Sequence, residues 1–219
     1  ELRTPINAIQ GFAEVIQQQL FGPTPHEYRA LAAGIAADAA RILAGFQELE
    51  RLARLETGAM ALDEGECDLA EVLAATVAQL EAFTQPRGSG FDLTVEGDLP
   101  PIGLAREEAE RLVWRLLATL AAAAAPGGQL PLAASTCPGK AKLTLTLPAA
   151  LAARSDEELF RASAAVTPQA VSAGMFGSGF ALRLACAEAA STGGSLQRRD
   201  KYLKLTIPGL TGQERQLSQ

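Results

Sequence analysis

The sequence predicts an α+β protein in which an N-terminal antiparallel helical hairpin is followed by an α/β sandwich. Apolar residues recur every three or four positions through residues 2–20 and again through residues 26–56, as in two amphipathic helices. Farther along the chain, short alternating segments typical of strands are interspersed with further helical patterns. We therefore place two domains, at residues 1–58 and 66–212.

The two hairpin helices are indicated by their apolar spacing and by the residues between them. A heptad seam in the first helix consists of Leu2, Ile6, Ile9, Ala13, Ile16 and Leu20. It stops at residues 21–23, F-G-P. Thr24 and Glu27 then form a capping-box pattern, with Pro25 at the first helical position. The second helix is predicted to run to about Glu56, and so short a loop makes the pair antiparallel.

A single hairpin of this kind leaves much of its apolar stripe in water. Pairing two hairpins into a four-helix bundle buries that stripe, so we expect a homodimer. A plain coiled-coil hairpin that serves only dimerisation is the simpler interpretation, and the periodicity by itself favours it.

The second domain begins after residues 62–66, which read as a linker. Its helices are expected at residues 68–83, 107–124, 155–160 and 179–190, with Asp68 and Ser155 as N-terminal caps. Its strands are expected at residues 91–95, 129–133, 142–147, 195–198 and 202–207. Helices combined with a mixed, mostly antiparallel sheet imply an α+β sandwich.

Composition excludes several classes of function. The net charge is -6 and the basic residues are scattered, so no nucleic-acid partner is expected. No apolar run reaches the roughly 20 residues that span a bilayer, so no membrane contact is expected from this chain. Cys67, Cys137 and Cys186 are far apart in the sequence, which indicates a reduced, cytoplasmic location.

The opening residues 1–7, E-L-R-T-P-I-N, resemble the phosphoacceptor box of sensor histidine kinases, the enzymes of two-component signalling. The match begins one residue after the histidine that is phosphorylated in that family. The order of elements from residue 66 onwards resembles the family's catalytic ATP-binding domain, whose fold is shared with the gyrase and Hsp90 ATPases. Residues 126–128, P-G-G, resemble the exit of its asparagine-bearing helix, and residues 193–196, G-G-S-L, resemble the approach to its last hairpin.

The family's asparagines, which bind the Mg²⁺ that bridges the nucleotide phosphates, are missing. The resemblance places them at Ala118 and Ala122. Asn7 is the only asparagine in the chain, so no shift of the alignment restores them. A hard cation such as Mg²⁺ takes oxygen ligands, which an alanine methyl group cannot supply.

The glycine boxes of the family are also degraded. The first, D-x-G-x-G, falls on residues 145–151, L-T-L-P-A-A-L, which contain neither Asp nor Gly. Gly174, Gly177 and Gly179 are a remnant of the second box, where weak anion binding by free N–H groups stays open. The lid segment, residues 161–173, is expected to be a flexible loop. No cofactor and no metal are therefore expected, although the family uses ATP and Mg²⁺.

The residues that remain point to phosphoryl chemistry. The resemblance makes Glu1 the acid that orients the histidine, and Thr4 the residue that positions water for hydrolysis of an aspartyl phosphate. Three positions apart on a helix, the two share a face. Arg3, Pro5 and Asn7 are expected to line a surface that docks a response regulator. Without the motif, Glu1 and Thr4 read as a solvated helix start with an acid placed at the helix dipole.

The phosphoacceptor itself is not in the sequence. His26 is the only histidine, and its place in the turn between the helices makes it an exposed turn residue. We expect the first helix to extend upstream, with His or a substitute such as Tyr before Glu1. If nothing precedes Glu1, only phosphatase or scaffold roles survive.

Three functions follow from these residues. The first is a phosphotransferase or phosphatase of the histidine kinase family, which docks a response regulator in a phosphorelay and no longer binds ATP. The second is a non-catalytic pseudokinase scaffold. The third, an active ATP-dependent kinase with an unusual site, ranks last.

Overall fold

The computed structural model describes residues 2–161 and 175–210 of the chain. The chain divides into two compact units, Glu1–Arg51 and Leu52–Gln219. The division falls inside the second helix, so the last turn of that helix belongs to the second unit.

The first unit is a helical hairpin, as the heptad spacing predicts. Helix α1 spans Arg3–Gln17 and α2 spans His26–Glu56. Small side chains at the buried positions, Ala13 on α1 and Ala32 and Ala39 on α2, allow close helix packing. Helix α2 ends in a Schellman motif, in which Gly58 takes a φ of 67° and the amide of Ala59 donates to the carbonyl of Arg54.

The start of α2 differs from the expected capping box. The hydroxyl of Thr24 donates to the carbonyl of Gly22 at 3.4 Å, and the backbone amide of Thr24 donates to Oε1 of Gln19 at 3.2 Å. Helix α2 begins one residue after Pro25. The capping-box prediction is therefore wrong, because the carbonyl of Pro25 accepts the first helical hydrogen bond, from Arg29, and Pro25 at the N-cap position has no side-chain acceptor.

The hairpin leaves large apolar side chains exposed. These are Leu2, Ile9, Phe12, Ile16, Leu20, Phe21, Tyr28, Leu31, Ile35 and Leu49. So much exposed apolar surface on a two-helix unit is typical of an interaction face. The four-helix bundle of a homodimer stays a prediction.

The second unit is a five-stranded sheet with helices. The helices after α2 are α3 (Leu69–Thr84), α4 (Arg106–Ala123), α5 (Ala149–Ala152), α6 (Asp156–Leu159) and α7 (Gly177–Ser191), and a 3-10 turn covers Gln85–Arg87. The strands are β1 (Gly90–Glu96), β2 (Gln129–Cys137), β3 (Lys140–Thr146), β4 (Ser195–Arg199) and β5 (Tyr202–Pro208). The sheet order is β1-β2-β3-β5-β4, with β1 and β2 parallel and the other pairs antiparallel. The predicted α+β class is confirmed.

The core lies on the alternating apolar face of the sheet. Leu143 of β3 is paired with Leu205 of β5, and both side chains are buried. Helix α4 lies next to both α3 and α7. Because a strand has a period of two, a single register places all the leucines of β3 and β5 on one face.

The predicted caps of the second unit form. Oδ1 of Asp68 accepts hydrogen bonds from the amides of Ala70 and Glu71, at 2.8 and 3.3 Å. Ser155 and Glu158 form a capping box at α6. These local signals were readable because the hydroxyl and carboxylate oxygens satisfy amides that lie only two or three residues away.

The segment that reads as a linker is attached to the sandwich. Leu62 is buried, and the carbonyl of Asp63 accepts a hydrogen bond from the amide of Ala105 at 2.8 Å. Cys67 and Ile102 exchange two backbone hydrogen bonds, at 3.0 and 3.1 Å. Residues 62–67 are therefore part of the second unit, to which they are held by apolar packing and backbone hydrogen bonds.

A bilayer-spanning segment needs both length and apolar character. Across residues 2–161 and 175–210, none of the helices combines the two.

Candidate functional site

The hairpin part of the candidate site lies in the first turns of α1. Pro5 is the third residue of this helix, where the missing N–H costs no hydrogen bond because the first amides of a helix have no intrahelical partner. The amide of Ile6 donates to the carbonyl of Leu2 at 3.4 Å, so the helix continues through the proline. Glu1 lies outside the described residues.

Four predicted site residues are close together on this helix. The side chains of Arg3, Thr4, Pro5 and Asn7 are all exposed. Thr4 and Asn7 are three positions apart, and Arg3 and Asn7 are four apart, so Asn7 shares a face with each of them. Solvent and a docked protein can therefore both reach the Thr4 hydroxyl.

An ion pair that the sequence did not indicate joins this helix start to α2. Nη2 of Arg3 donates to Oε2 of Glu50 at 3.1 Å. The side chains are 58% and 54% exposed, so the pair contributes at most about 1 kcal/mol. Arg3, proposed to contact a partner, is thus positioned by Glu50.

His26 lies at the other end of α1 from Thr4. It is the first residue of α2 and is exposed, as the sequence predicts for a turn histidine. Helix α1 has 15 residues, which corresponds to a length of about 22 Å. His26 is therefore separated from Thr4 by most of the length of α1.

In the second unit, the two positions expected to bind metal are on α4. Ala118 is 4% exposed and Ala122 is half-buried. Neither side chain carries an oxygen atom. Arg115 precedes these alanines by three and seven positions and therefore shares their helix face.

Arg115 takes part in a buried ion pair that sequence reasoning missed. Its Nε lies 3.3 Å from Oε2 of Glu188 on α7, and its Nη2 lies 3.3 Å from Oε1. The two side chains are 10% and 1% exposed. The available signal was a charged residue within an apolar stretch of each helix, which indicates a buried charge but not its partner.

Buried leucines occupy the place of the first glycine box. Leu145, Leu147 and Leu151 are 2%, 4% and 1% exposed, and all three belong to the core. The amide of Leu147 donates to the carbonyl of Lys201 at 2.8 Å, which ties the segment to the β4–β5 turn. This segment offers packed apolar groups where the family pattern has an aspartate and two glycines.

Gly177 and Gly179, the described glycines of the second box, occupy positions where a side chain would be strained or would clash. Gly177 takes a φ of 76°, which disfavours other residues. A Cβ on Gly179 would lie 1.8 Å from the carbonyl oxygen of Arg161, so no side chain fits there. Gly174 and most of the lid segment, residues 162–173, lie outside the described residues.

The start of α7 also has a side-chain contact. Nη1 of Arg154 donates to the hydroxyl of Ser178 at 3.1 Å. Gly193 and Gly194 close α7 in a Schellman motif, in which Gly193 has a φ of 73°. A Cβ on Gly194 would lie 2.1 Å from the carbonyl oxygen of Thr206. The turn and cap interpretation of this pair therefore has a physical basis.

The positions that the resemblance assigns to magnesium and adenine carry none of the family's ligand groups. The two asparagine positions carry methyl groups, and residues 145–151 carry no carboxylate. In the described part of the chain, no group of three or more His, Cys, Asp or Glu side chains could hold a metal ion. A hard divalent cation needs oxygen ligands, which these positions do not provide.

Comparison with protein families and curated proteins gives one consistent result. Residues 1–58 match the family described as the His Kinase A (phospho-acceptor) domain. The cell-division control histidine kinase PdhS of Brucella suis is 26% identical over 131 residues, which are 59% of this chain and 13% of PdhS. The histidine protein kinase DivJ of Caulobacter vibrioides is 26% identical over 138 residues, 61% of this chain and 22% of DivJ. The chain thus spans a minor part of these relatives.

Solved structures share the fold. Full-length ShkA in complex with AMPPNP aligns with a TM-score of 0.74 at 16% identity, over 97% of this chain and 45% of ShkA. The histidine kinase AdeS of Acinetobacter baumannii aligns with a TM-score of 0.63 at 16% identity, over 96% of this chain and 98% of that one. ThkA in complex with the response regulator TrrA gives a TM-score of 0.55 at 16% identity, over 96% and 59%.

Proposed function

Because this chain belongs to the sensor histidine kinase family, we propose that it docks a response regulator and hydrolyses or exchanges its aspartyl phosphate without binding ATP. One observation carries the proposal. Thr4 is exposed in the first turn of α1, while the positions for the metal and the adenine carry alanine and buried leucine. The chain thus retains the residues that act on a phosphorylated partner and lacks those that act on a nucleotide.

The loss of metal binding is supported by the pairing of a neighbouring acid as well as by the missing ligands. Arg115 carries a positive charge one turn from Ala118, on the same face of α4. Glu188 already pairs with this charge, so its carboxylate is engaged by Arg115 rather than available to a metal.

Phosphatase chemistry needs little from the protein. A water oxygen attacks the phosphorus, the bond between phosphorus and the aspartate oxygen breaks, and the products are inorganic phosphate and a free carboxylate. The Thr4 hydroxyl hydrogen-bonds the water and holds it in line for attack. Positioning of this kind requires no ATP.

Partner docking and dimerisation belong to the same proposal. ThkA, which shares this fold, was solved in complex with the response regulator TrrA. The exposed side chains of Arg3, Pro5 and Asn7 surround Thr4 on the proposed docking surface. The exposed apolar stripe of the hairpin supports a homodimer, in which two hairpins bury it together.

The test is the lifetime of a phosphorylated receiver domain. Receiver domains from the same genome are phosphorylated with acetyl phosphate, and their decay is followed with and without this protein. We expect one of them to lose its phosphate faster, and Thr4→Ala to remove about tenfold or more of that acceleration. Thr94→Ala, an exposed threonine on β1, is the matched control.

The scaffold is the second candidate, and the same experiment separates it. Binding of a receiver domain with no change in phosphate lifetime, and no loss of binding on Thr4→Ala, would support a pseudokinase scaffold. Calorimetric titration with Mg-ATP tests the remaining alternative. Saturable micromolar binding would overturn the proposed loss of the nucleotide site.

A further inference from the structure

The last turn of α2 is built into the second unit. Leu52 and Leu55 are each 8% exposed and belong to the buried cluster that forms the core of the sandwich. Three positions apart, they lie on one face of the helix. The helix end is therefore packed as part of the sandwich, and not as the start of a free connection.

An ion pair fastens the same helix end to α7. Nε of Arg183 donates to Oε1 of Glu56 at 2.7 Å, and Nη2 donates to Oε2 at 3.0 Å. This is the bidentate arrangement of a guanidinium on a carboxylate, which adds directional specificity. The two residues are 127 positions apart in the sequence.

Glu56 is in an unfavourable place for an isolated acid. It is the last residue of a 31-residue helix, where the helix dipole presents partial negative charge. A carboxylate there is stabilised only if a cation accompanies it. Arg183 provides that cation from a different element, which makes the pair a contact between helices and not a local cap.

Residues 52–67 are also held on the second unit by apolar burial and by backbone hydrogen bonds. Leu52 and Leu55 are buried, and Asp63 and Cys67 are held by backbone hydrogen bonds to Ala105 and Ile102. Salt barely affects such contacts. The Glu56 and Arg183 side chains are 40% and 52% exposed, so their attraction is screened by salt and weak enough to open and close.

We propose that Glu56 and Arg183 form a latch that determines whether the last turn of α2 moves with the sandwich. With the latch closed, residues 52–56 are held on α7 and the segment up to residue 67 is fastened along its length. With the latch open, the helix end frays from α7 while the Cys67–Ile102 contact stays in place. The device is independent of the phosphoryl chemistry proposed above.

The test is hydrogen–deuterium exchange of the whole chain, read in peptides that cover residues 52–61. Arg183→Ala should speed exchange there by about two- to fivefold, the effect of losing an exposed ion pair. In a Glu56→Gln background, Arg183→Ala should add nothing, because the latch is already absent. Arg106→Ala is the matched control, since Arg106 is also 52% exposed and pairs with Glu71 and Glu110.

Salt provides a second measurement. Raising the ionic strength from 0.05 to 1 M should speed exchange in the same peptides of the unmodified chain and leave Arg183→Ala unchanged. Equal exchange in the unmodified chain and Arg183→Ala would overturn the proposal. So would a change spread over the whole sandwich, or the same change in Arg106→Ala.

Discussion

Arg115 on α4 and Glu188 on α7 form a two-pronged ion pair with nitrogen–oxygen distances of 3.3 Å and with Glu188 only 1% exposed. Removing the arginine leaves a carboxylate in a nearly dry site, and such a change costs several kcal/mol. Arg115→Met should therefore lower the free energy of unfolding by about 3 kcal/mol. Urea unfolding followed by the fluorescence of Trp114, the only tryptophan, reports on this unit.

Arg106→Met is the control for that prediction. Arg106 is 52% exposed and pairs with carboxylates on the surface, so its loss should cost less than about 1 kcal/mol. Equal losses in the two variants would mean that the buried pair stabilises the fold no more than a surface pair does.

Phe176 and Phe180, at the start of α7, form an aromatic pair that should contribute strongly to the stability of the second unit. Phe180 is 2% exposed, and its ring centroid lies 4.9 Å from that of Phe176. Phe180→Ala should cost about 3 to 5 kcal/mol, because it creates a cavity and removes a ring contact. Val95→Ala, at a residue of β1 that is 41% exposed, should stay within about 0.5 kcal/mol in the same urea titration. A small effect of Phe180→Ala would show that the core collapses around the missing ring.

The exposed stripe of the hairpin predicts self-association. Phe12 and Leu31 are 70% and 65% exposed, and a homodimer would bury them. Phe12→Glu and Leu31→Glu should each raise the dimer dissociation constant at least about tenfold, because charge replaces buried apolar area. Sedimentation velocity across a concentration series measures this. Phe83→Glu, an exposed aromatic residue on α3, should leave association unchanged; a monomeric unmodified chain would reject the dimer.

The cysteines predict a loss of stability at alkaline pH. Burial raises the pKa of the Cys186 thiol to about 11, from an ordinary value near 9. Because the folded thiol holds its proton more tightly, the unfolded state ionises first, and stability falls between about pH 9 and 11. The loss should approach 2 to 3 kcal/mol at pH 11, and Cys186→Ala should remove it.

Thiol alkylation checks the same cysteines independently. Burial also raises the pKa of the Cys67 thiol, whereas Cys137 is exposed. Iodoacetamide at pH 8 should therefore modify Cys137 first, and Cys67 and Cys186 more slowly. Rapid modification of Cys186 in the folded protein would contradict its burial.

Most elements of the fold were predictable because their signals are local. Asp68 and Ser155 cap the helices that follow them, and alternating leucines mark β3 and β5. The miss at Thr24 has a local cause too. Helix α2 begins one residue later than the pattern predicts, at His26, and a sequence pattern does not fix a helix start to a single residue.

The candidate site was only partly predictable. The E-L-R-T-P-I-N motif located Arg3, Thr4, Pro5 and Asn7, and the missing asparagines were visible without any structure. The side chains that contact these residues in the folded chain were not predictable. Whether Arg3 is free or paired depends on α2 folding back against α1, a long-range event that the motif does not encode.

The sequence by itself determined the order of the helices and strands and their apolar faces, because each of these depends on neighbours a few positions away. The tertiary structure alone decided the charge partners. Arg3 with Glu50, Arg115 with Glu188 and Arg183 with Glu56 are separated by 47, 73 and 127 positions. A charged side chain finds its partner only after packing has brought two elements together, and that packing is set by the whole core.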